Sequence, residues 1–154
     1  GRAGADGALA FGGIATDFAK CANLADATFR RVKTFPPWDL PRGAIAPWRP
    51  AVTNVDDGFR ASAPVGSFTP NAWGVCDVHG NVAEWTLDCA SDGVRRLARG
   101  GSWWSRPERA TFSEAWPYVP WQGVYDVGFR IVVTDPKGGV ESSGKRDAWG
   151  RLRE

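Results

Sequence analysis

Apolar residues along this chain come in short bursts, and neither a helical nor a strand period runs for long. Leu9-Ala10-Phe11 follows a small, glycine-rich opening and reads as a loop entering a short strand. Residues 14–29 hold at most a turn of helix around 25–29, because the spacing there is weak. Five prolines and two tryptophans fall within 35–50. They forbid a long helix or a central strand and leave a surface loop pinned by its rings, or a binding loop. Residues 52–68 read as loop ending in a short extended piece at 63–68, and residues 70–77 as a helical turn with Pro70 near its start. Residues 82–87 alternate and predict a strand, and residues 97–103 predict another, broken at Gly100-Gly101. Residues 128–133, Gly-Phe-Arg-Ile-Val-Val, are the clearest strand: short, β-branched and bounded by turns. The polar stretch 136–154 is expected to be disordered or an appendage. No repeat of fixed period occurs.

Composition narrows this to one loop-rich domain. The 154 residues can bury a single core, and 43% hydrophobic with 23% charged residues is a soluble, globular balance. Nineteen glycines and eleven prolines exclude a helical bundle. Nine tryptophans predict a core of large rings whose indole N–H groups need partners. The net charge of +2 comes wholly from 136–154, which carries five basic and three acidic side chains. The body therefore has no basic stripe, and no nucleic-acid partner is expected. Cys21, Cys76 and Cys89 are odd in number and form no CxxC, so neither a disulfide framework nor a zinc site is implied. Burial as small apolar groups is expected, with one bridged pair as the alternative. A single histidine excludes a His-rich metal site. No run approaches the ~18 apolar residues of a membrane span, and no signal peptide is visible. No methionine occurs, even at position 1, so the chain is expected to be an internal piece of a longer one, fused to further domains. The compartment stays open between extracytoplasmic and cytoplasmic.

Several blocks then coincide in order. Ala63-Pro64-Val65-Gly66-Ser67-Phe68 precedes Pro70-Asn71-Ala72-Trp73-Gly74-Val75, and Asp77-Val78-His79-Gly80-Asn81-Val82-Ala83-Glu84-Trp85 follows. Arg99-Gly100-Gly101-Ser102-Trp103 comes next, and Val127-Gly128-Phe129-Arg130-Ile131-Val132 closes the set. In these blocks the chain resembles the formylglycine-generating-enzyme family, also called the sulfatase-modifying-factor domain, over most of residues 1–134. The resemblance implies an α+β, C-type-lectin-like fold, low in regular structure, with irregular short strands and few helices. It also implies that residues 1–135 are a partial domain lacking the N-terminal half, with 136–154 as a tail.

The family binds structural calcium through hard oxygen ligands, as calcium demands. One site, carried over by position, consists of Asp77, Gly80, Val82 and Glu84. Gly80 would permit the tight turn, and alternation would bring the Val82 carbonyl and Glu84 near Asp77. A second site corresponds to Asn23, Leu24, Asp57 and Phe59. The plainer alternative is that Asp77 and Glu84 only cap turns and Asn23 is a turn residue.

The family enzyme oxidises a sulfatase cysteine, using two cysteines that hold copper(I). Their positions here are Ser105 and Ala110. A hydroxyl and a methyl group cannot replace soft thiolates, so no copper and no catalytic residue are expected. The surrounding Trp104, Ser105, Arg106, Arg109, Trp116 and Trp121 would line the family's substrate groove and could bind a ligand. The alternative makes Trp116 and Trp121 loop anchors and pairs Arg106 and Arg109 with Glu108, Glu114 or Asp126. His79 is expected to be a structural hydrogen-bonding residue, and Arg130 to pair internally with a buried carboxylate. These residues point to a non-catalytic module binding a protein, peptide or glycan on a calcium-stabilised scaffold. The competing reading is an oxidoreductase of the same superfamily, acting on a protein cysteine or another substrate with residues outside this chain. A third, a retroelement-diversified binding protein variable over 104–126, fits poorly with the mixed, proline-containing sequence there.

Overall fold

The computed structural model describes residues 2–31 and 51–133. The expectations for 35–50 and 136–154 lie outside the described residues. Regular structure is sparse. It comprises a helix α1 (Ala27–Arg31), strands β1 (Ala83–Cys89), β2 (Arg96–Arg99), β3 (Ala115–Tyr118) and β4 (Val127–Gly128), and a 3-10 turn at Pro107–Arg109. No helix among the described residues is long and apolar enough to cross a membrane.

The sheet runs β3-β2-β1-β4. β1 and β2 form an antiparallel hairpin that pairs Trp85 with Ala98 and is irregular between Trp85 and Cys89. Its turn is closed by Ala90 N–H to Arg95 O at 2.9 Å. Asp92 accepts the backbone N–H groups of Arg95 and Val94, and these with the Arg95 side chain hold its carboxyl down to about 2. β3 lies antiparallel to β2 and pairs Trp116 with Ala98. This strand is not anticipated above, because Pro117 interrupts it. On an edge strand, however, a missing N–H costs no ladder bond. β4 pairs in parallel with the inner end of β1, through Ala83–Val127 and Glu84–Gly128.

α1 begins where a cap appears in the sequence. Asp26 Oδ1 accepts the Phe29 N–H at 2.7 Å, an N-cap worth about 1 kcal/mol. The helix buries Phe29 against Ala25 and Trp103. A second cluster joins Leu9, Phe18, Ala22, Leu24, Val55 and Ala110. Most of these core residues stand on loops, so loop hydrogen bonds rather than long ladders position them.

Several expectations are corrected. Residues 128–133 are not a full strand: only Val127–Gly128 pair, and Phe129, Ile131, Val132 and Val133 are exposed. β-branched residues favour strands by fitting a half-buried pleat, and among the described residues no strand pairs with 129–133. Residues 63–68 turn instead of extending, with Ser67 N–H on Pro64 O at 3.2 Å. Residues 70–77 are a turn about Asn71, whose side chain accepts Trp73 and Val75 N–H, and not helix. Leu9 and Gly12 bond each other across a two-residue turn, closing a bend where a strand was anticipated. The core is mainly Phe, Leu, Val and Ala. Trp103 is buried, but Trp73 and Trp121 are exposed. The three cysteines are unbridged, with Cys21 and Cys76 half-buried and Cys89 exposed at the end of β1.

Candidate functional site

The blocks that carry the resemblance meet at Asn81, which is buried at φ +61°. Its N–H bonds Asn23 O at 2.8 Å and its carbonyl accepts Trp103 N–H at 2.9 Å. Its side chain grips both backbone groups of Ala63, accepting N–H at 2.8 Å and donating to the carbonyl at 3.2 Å. Asn23 Nδ2 reaches the same amide oxygen at 3.4 Å. Four segments are thus tied by one side chain and its backbone. Gly80 must be glycine here: its φ is +73°, and a Cβ would stand 2.1 Å from Asn23 O. Asn81 is not singled out above, although Gly-Asn in a turn is the signal that could have marked it.

Asn23, Leu24, Asp57 and Phe59 are brought together beside this hub. Asp57 accepts Leu24 N–H at 3.0 Å and Phe59 N–H at 2.8 Å. Asn23 Nδ2 donates to Ala61 O at 2.7 Å, while Asn23 Oδ1 is buried with no partner. Burial raises the Asp57 carboxyl to about 7, against the pull of the Phe59 N–H, and neighbouring Asp26 pushes the same way. An orphaned amide oxygen beside a carboxyl reluctant to ionise is relieved by a hard cation, so this donor set fits one.

The corner of Asp77, Gly80, Val82 and Glu84 is built differently. Glu84 is claimed by Arg130, through Nε–H to Oε2 at 2.9 Å and Nη2–H to Oε1 at 2.6 Å. Arg130 Nη2 also donates to Cys76 O at 2.9 Å. The Glu84 hydrogen bonds are the main reason that its guanidinium is held even more firmly protonated than usual. Asp77 Oδ2 accepts Gly66 N–H at 2.8 Å, but Asp77 Oδ1 is buried and unpartnered, on a residue at φ +54°. This corner fits a metal at Asp77 and less well at Glu84, whose two oxygens already face a cation. Among the described residues no three His, Cys, Asp or Glu side chains cluster for a metal. Both corners would therefore have to complete one or two carboxylates with carbonyl or amide oxygens.

His79 sits between the corners and the core. Its Nε2 accepts Ala10 N–H at 2.9 Å, and its Nδ1 lies 2.7 Å from Ala110 O. A backbone donor on one nitrogen and a backbone acceptor on the other select the neutral Nδ1–H tautomer. Burial lowers its pKa, opposed by the Ala110 carbonyl.

The groove lies on the other side of Gly-Gly-Ser. Ser102 Oγ donates to Asp126 Oδ2 at 2.7 Å and accepts Trp104 N–H at 3.2 Å. Ser105 Oγ accepts Ser102 N–H at 3.1 Å, so the hydroxyl at the first family cysteine position serves the turn. Ala110, at the second, is fully buried in the core, and a Cβ on Gly101 would stand 2.7 Å from its methyl. Trp104, Ser105, Arg106, Arg109 and Trp116 border one hollow of about 490 Å³ together with Glu108. Trp121 is 78% exposed and borders neither this hollow nor the next. Arg106 pairs with Glu108 at 3.2 Å and Arg109 with Glu114 at 3.3 Å, exposed pairs of small energetic weight. Arg109 also lies over the Trp116 ring, 4.2 Å from its centroid. An adjoining hollow of about 400 Å³ adds Tyr118, Tyr125 and Asp126. Sequence reasoning did not assign Tyr125 or Asp126 to the groove.

Residues 25–135 match the family described as the sulfatase-modifying factor enzyme 1-like domain. The inactive C-alpha-formylglycine-generating enzyme 2 of Bos taurus is 33% identical over 97 residues, covering 48% of this chain and 32% of that protein. The formylglycine-generating enzyme of Thermomonospora curvata is 38% identical over 60 residues, 39% of this chain and 15% of that enzyme. PvdO from Pseudomonas aeruginosa, a solved structure, is similar with a TM-score of 0.51 and 27% identity, over 72% of this chain and 38% of that one. The matched segments span about a third or less of these curated relatives.

Proposed function

This chain belongs to the sulfatase-modifying-factor, or formylglycine-generating-enzyme, family, and from that premise we propose that it is a non-catalytic binding domain, stabilised by calcium, that takes a protein, peptide or glycan in the groove around Trp104 and Trp116. The observation that carries the reading is the state of the two cysteine positions. Ser105 spends its hydroxyl on the Ser102 N–H, and Ala110 fills the core. A hydroxyl is too hard for copper(I) and a methyl group has no lone pair, so the oxygen-activating metal has no seat. Similarity to a relative named as inactive supports the same reading.

Calcium would be held first by Asn23, the Leu24 carbonyl, Asp57 and the Phe59 carbonyl, and second by Asp77, the Gly80 and Val82 carbonyls and Glu84. When bound it supplies positive charge to carboxylates that the fold has desolvated. This chain's own part is to hold those oxygens in place through Asn81, and so to fix the turns from which Trp103 and Trp104 project. Rigid turns suit recognition, because rings already in place lose little freedom on binding.

The test is selection from displayed peptides and arrayed glycans against the protein in calcium, repeated with the Trp104→Ala, Trp116→Ala double variant. Ligands retained by the parent and lost by the variant are expected. If nothing is retained, or the variant retains the same ligands equally, the groove is not a binding face.

A further inference from the structure

The hollow of about 400 Å³ beside β3 is lined by Trp104, Trp116, Tyr118, Tyr125 and Asp126, and its lining contains no lysine, arginine or histidine. The geometry points to this hollow as a site for an alkylated ammonium group, a methylated amine held against ring faces and the Asp126 carboxylate. The inference rests on the groove being a binding face and names the ligand chemistry.

Four aromatic rings converge from three segments. Trp116 and Tyr118 stand two apart on β3, which places both on one face of the strand. Trp104 comes from the turn after Gly-Gly-Ser, and Tyr125 from the approach to β4. The rings are fixed by one another: Trp104 meets Tyr125 edge-on at 6.2 Å and Phe29 at 5.1 Å, and Tyr118 meets Trp85 at 5.9 Å. A set of rings held in this way needs little reordering to receive a ligand. Their faces carry negative electrostatic potential, which attracts a cation most strongly where water is excluded.

The charge points the same way. Asp126 is aimed by Ser102 Oγ at 2.7 Å, and among the described residues it has no ion-pair partner. Burial, with Asp126 and Tyr125 nearby, keeps the Tyr118 hydroxyl protonated beyond its ordinary range, so the hollow already disfavours another negative charge. Arg109 lies over Trp116 from the adjoining hollow, which shows that this ring accepts a cation. An –NH3+ brings three donors and wants three acceptors. The hollow offers mainly ring faces and one carboxylate that already takes a bond from Ser102. A quaternary, trimethylated ammonium, with no N–H donors to satisfy, suits that lining better.

Calorimetric titration of the whole chain tests this with three probes: choline, its neutral tert-butyl isostere with carbon in place of nitrogen, and a trimethyllysine peptide. At least one ammonium probe should bind roughly tenfold or more tighter than the neutral isostere, and the tighter of the two tells a free small cation from a peptide side chain. Asp126→Asn and Trp116→Leu should each weaken that probe by roughly tenfold. Asp126→Asn also touches the Ser102 turn, so Trp116→Leu supplies an independent reading if the first variant does not fold. Equal binding of the isostere, no binding of either ammonium probe, or binding unchanged in a folded variant would overturn the proposal. Peptides or glycans that still depend on Trp104 and Trp116 would then leave the groove a binding face for uncharged ligands.

Discussion

The two oxygen-lined corners flanking Asn81 share one feature and are neutralised differently. Each leaves one buried side-chain oxygen without a partner, Asn23 Oδ1 in one and Asp77 Oδ1 in the other. At the first, the carboxyl of Asp57 is desolvated beside Asp26, and the groups that favour its charged form are the backbone N–H groups of Phe59 and Leu24. At the second, Glu84 is met by the Arg130 guanidinium through two bonds. A backbone amide is a dipole and a guanidinium is a full charge. The first corner therefore has unmet demand for a cation, while the second has its own. Family membership alone does not separate them; the local charge does.

The largest effect should come from what the corners share. Asn81→Ala removes a buried amide that serves Ala63 and Asn23, and should cost about 3 kcal/mol in chemical denaturation. A loss under about 1 kcal/mol would mean that the corners stand independently. Calcium comes next. At a hundredfold excess over its dissociation constant it should stabilise by about 2.7 kcal/mol, read as a rise in melting temperature that a chelator reverses. Asp57→Asn should abolish most of that rise and Glu84→Gln little of it. The reverse ranking would invert the comparison.

Arg130→Gln sharpens the contrast further. The pair is part-exposed, so its loss should cost only about 1 kcal/mol without metal. Freed of its guanidinium, Glu84 should then make the variant gain more from calcium than the parent does. An unchanged calcium response would show that Arg130 and the metal do not compete there.

The smallest effect is pH dependence at His79. Its pKa is lowered in the folded chain by burial, so the unfolded chain binds the extra proton first. The contribution of this group to stability should fall as pH drops through about 6.5, by at most ~1.4 kcal/mol per unit, while the raised Asp57 carboxyl acts in the opposite direction over the same range. His79→Gln should remove that contribution, so the variant should gain stability relative to the parent as pH falls from about 6.5 to about 5, and a pH profile identical to the parent's would mean that His79 contributes no acid loss there.

Much of the fold was legible because it follows local rules. Alternation marked the body of β1, and Gly100-Gly101 marked the end of β2, whereas the helix was read only as a weak turn around 25–29. β3 was hidden because Pro117 is tolerated only on an edge, and edge position is not a local property. Residues 128–133 were over-read for the converse reason: their β-branched pattern requires a neighbour, and only Val127–Gly128 find one. Candidate positions came from the resemblance, but what neutralises them did not. Glu84 meets Arg130 across 46 residues and Leu24 meets Asp57 across 33, distances over which spacing carries no information. Asp126 and Tyr125 joined the groove for the same reason, brought there by β4 lying against β1.

The central proposal is that the family scaffold is kept without its oxidation chemistry, because Ser105 and Ala110 stand where the resemblance places its two cysteines. The most direct measurement is mass spectrometry of a sulfatase-derived cysteine peptide incubated with the protein, copper(I), oxygen and reductant. The peptide should return with its cysteine unconverted, at the rate of a control without protein. Protein-dependent conversion of that cysteine to formylglycine would contradict the account.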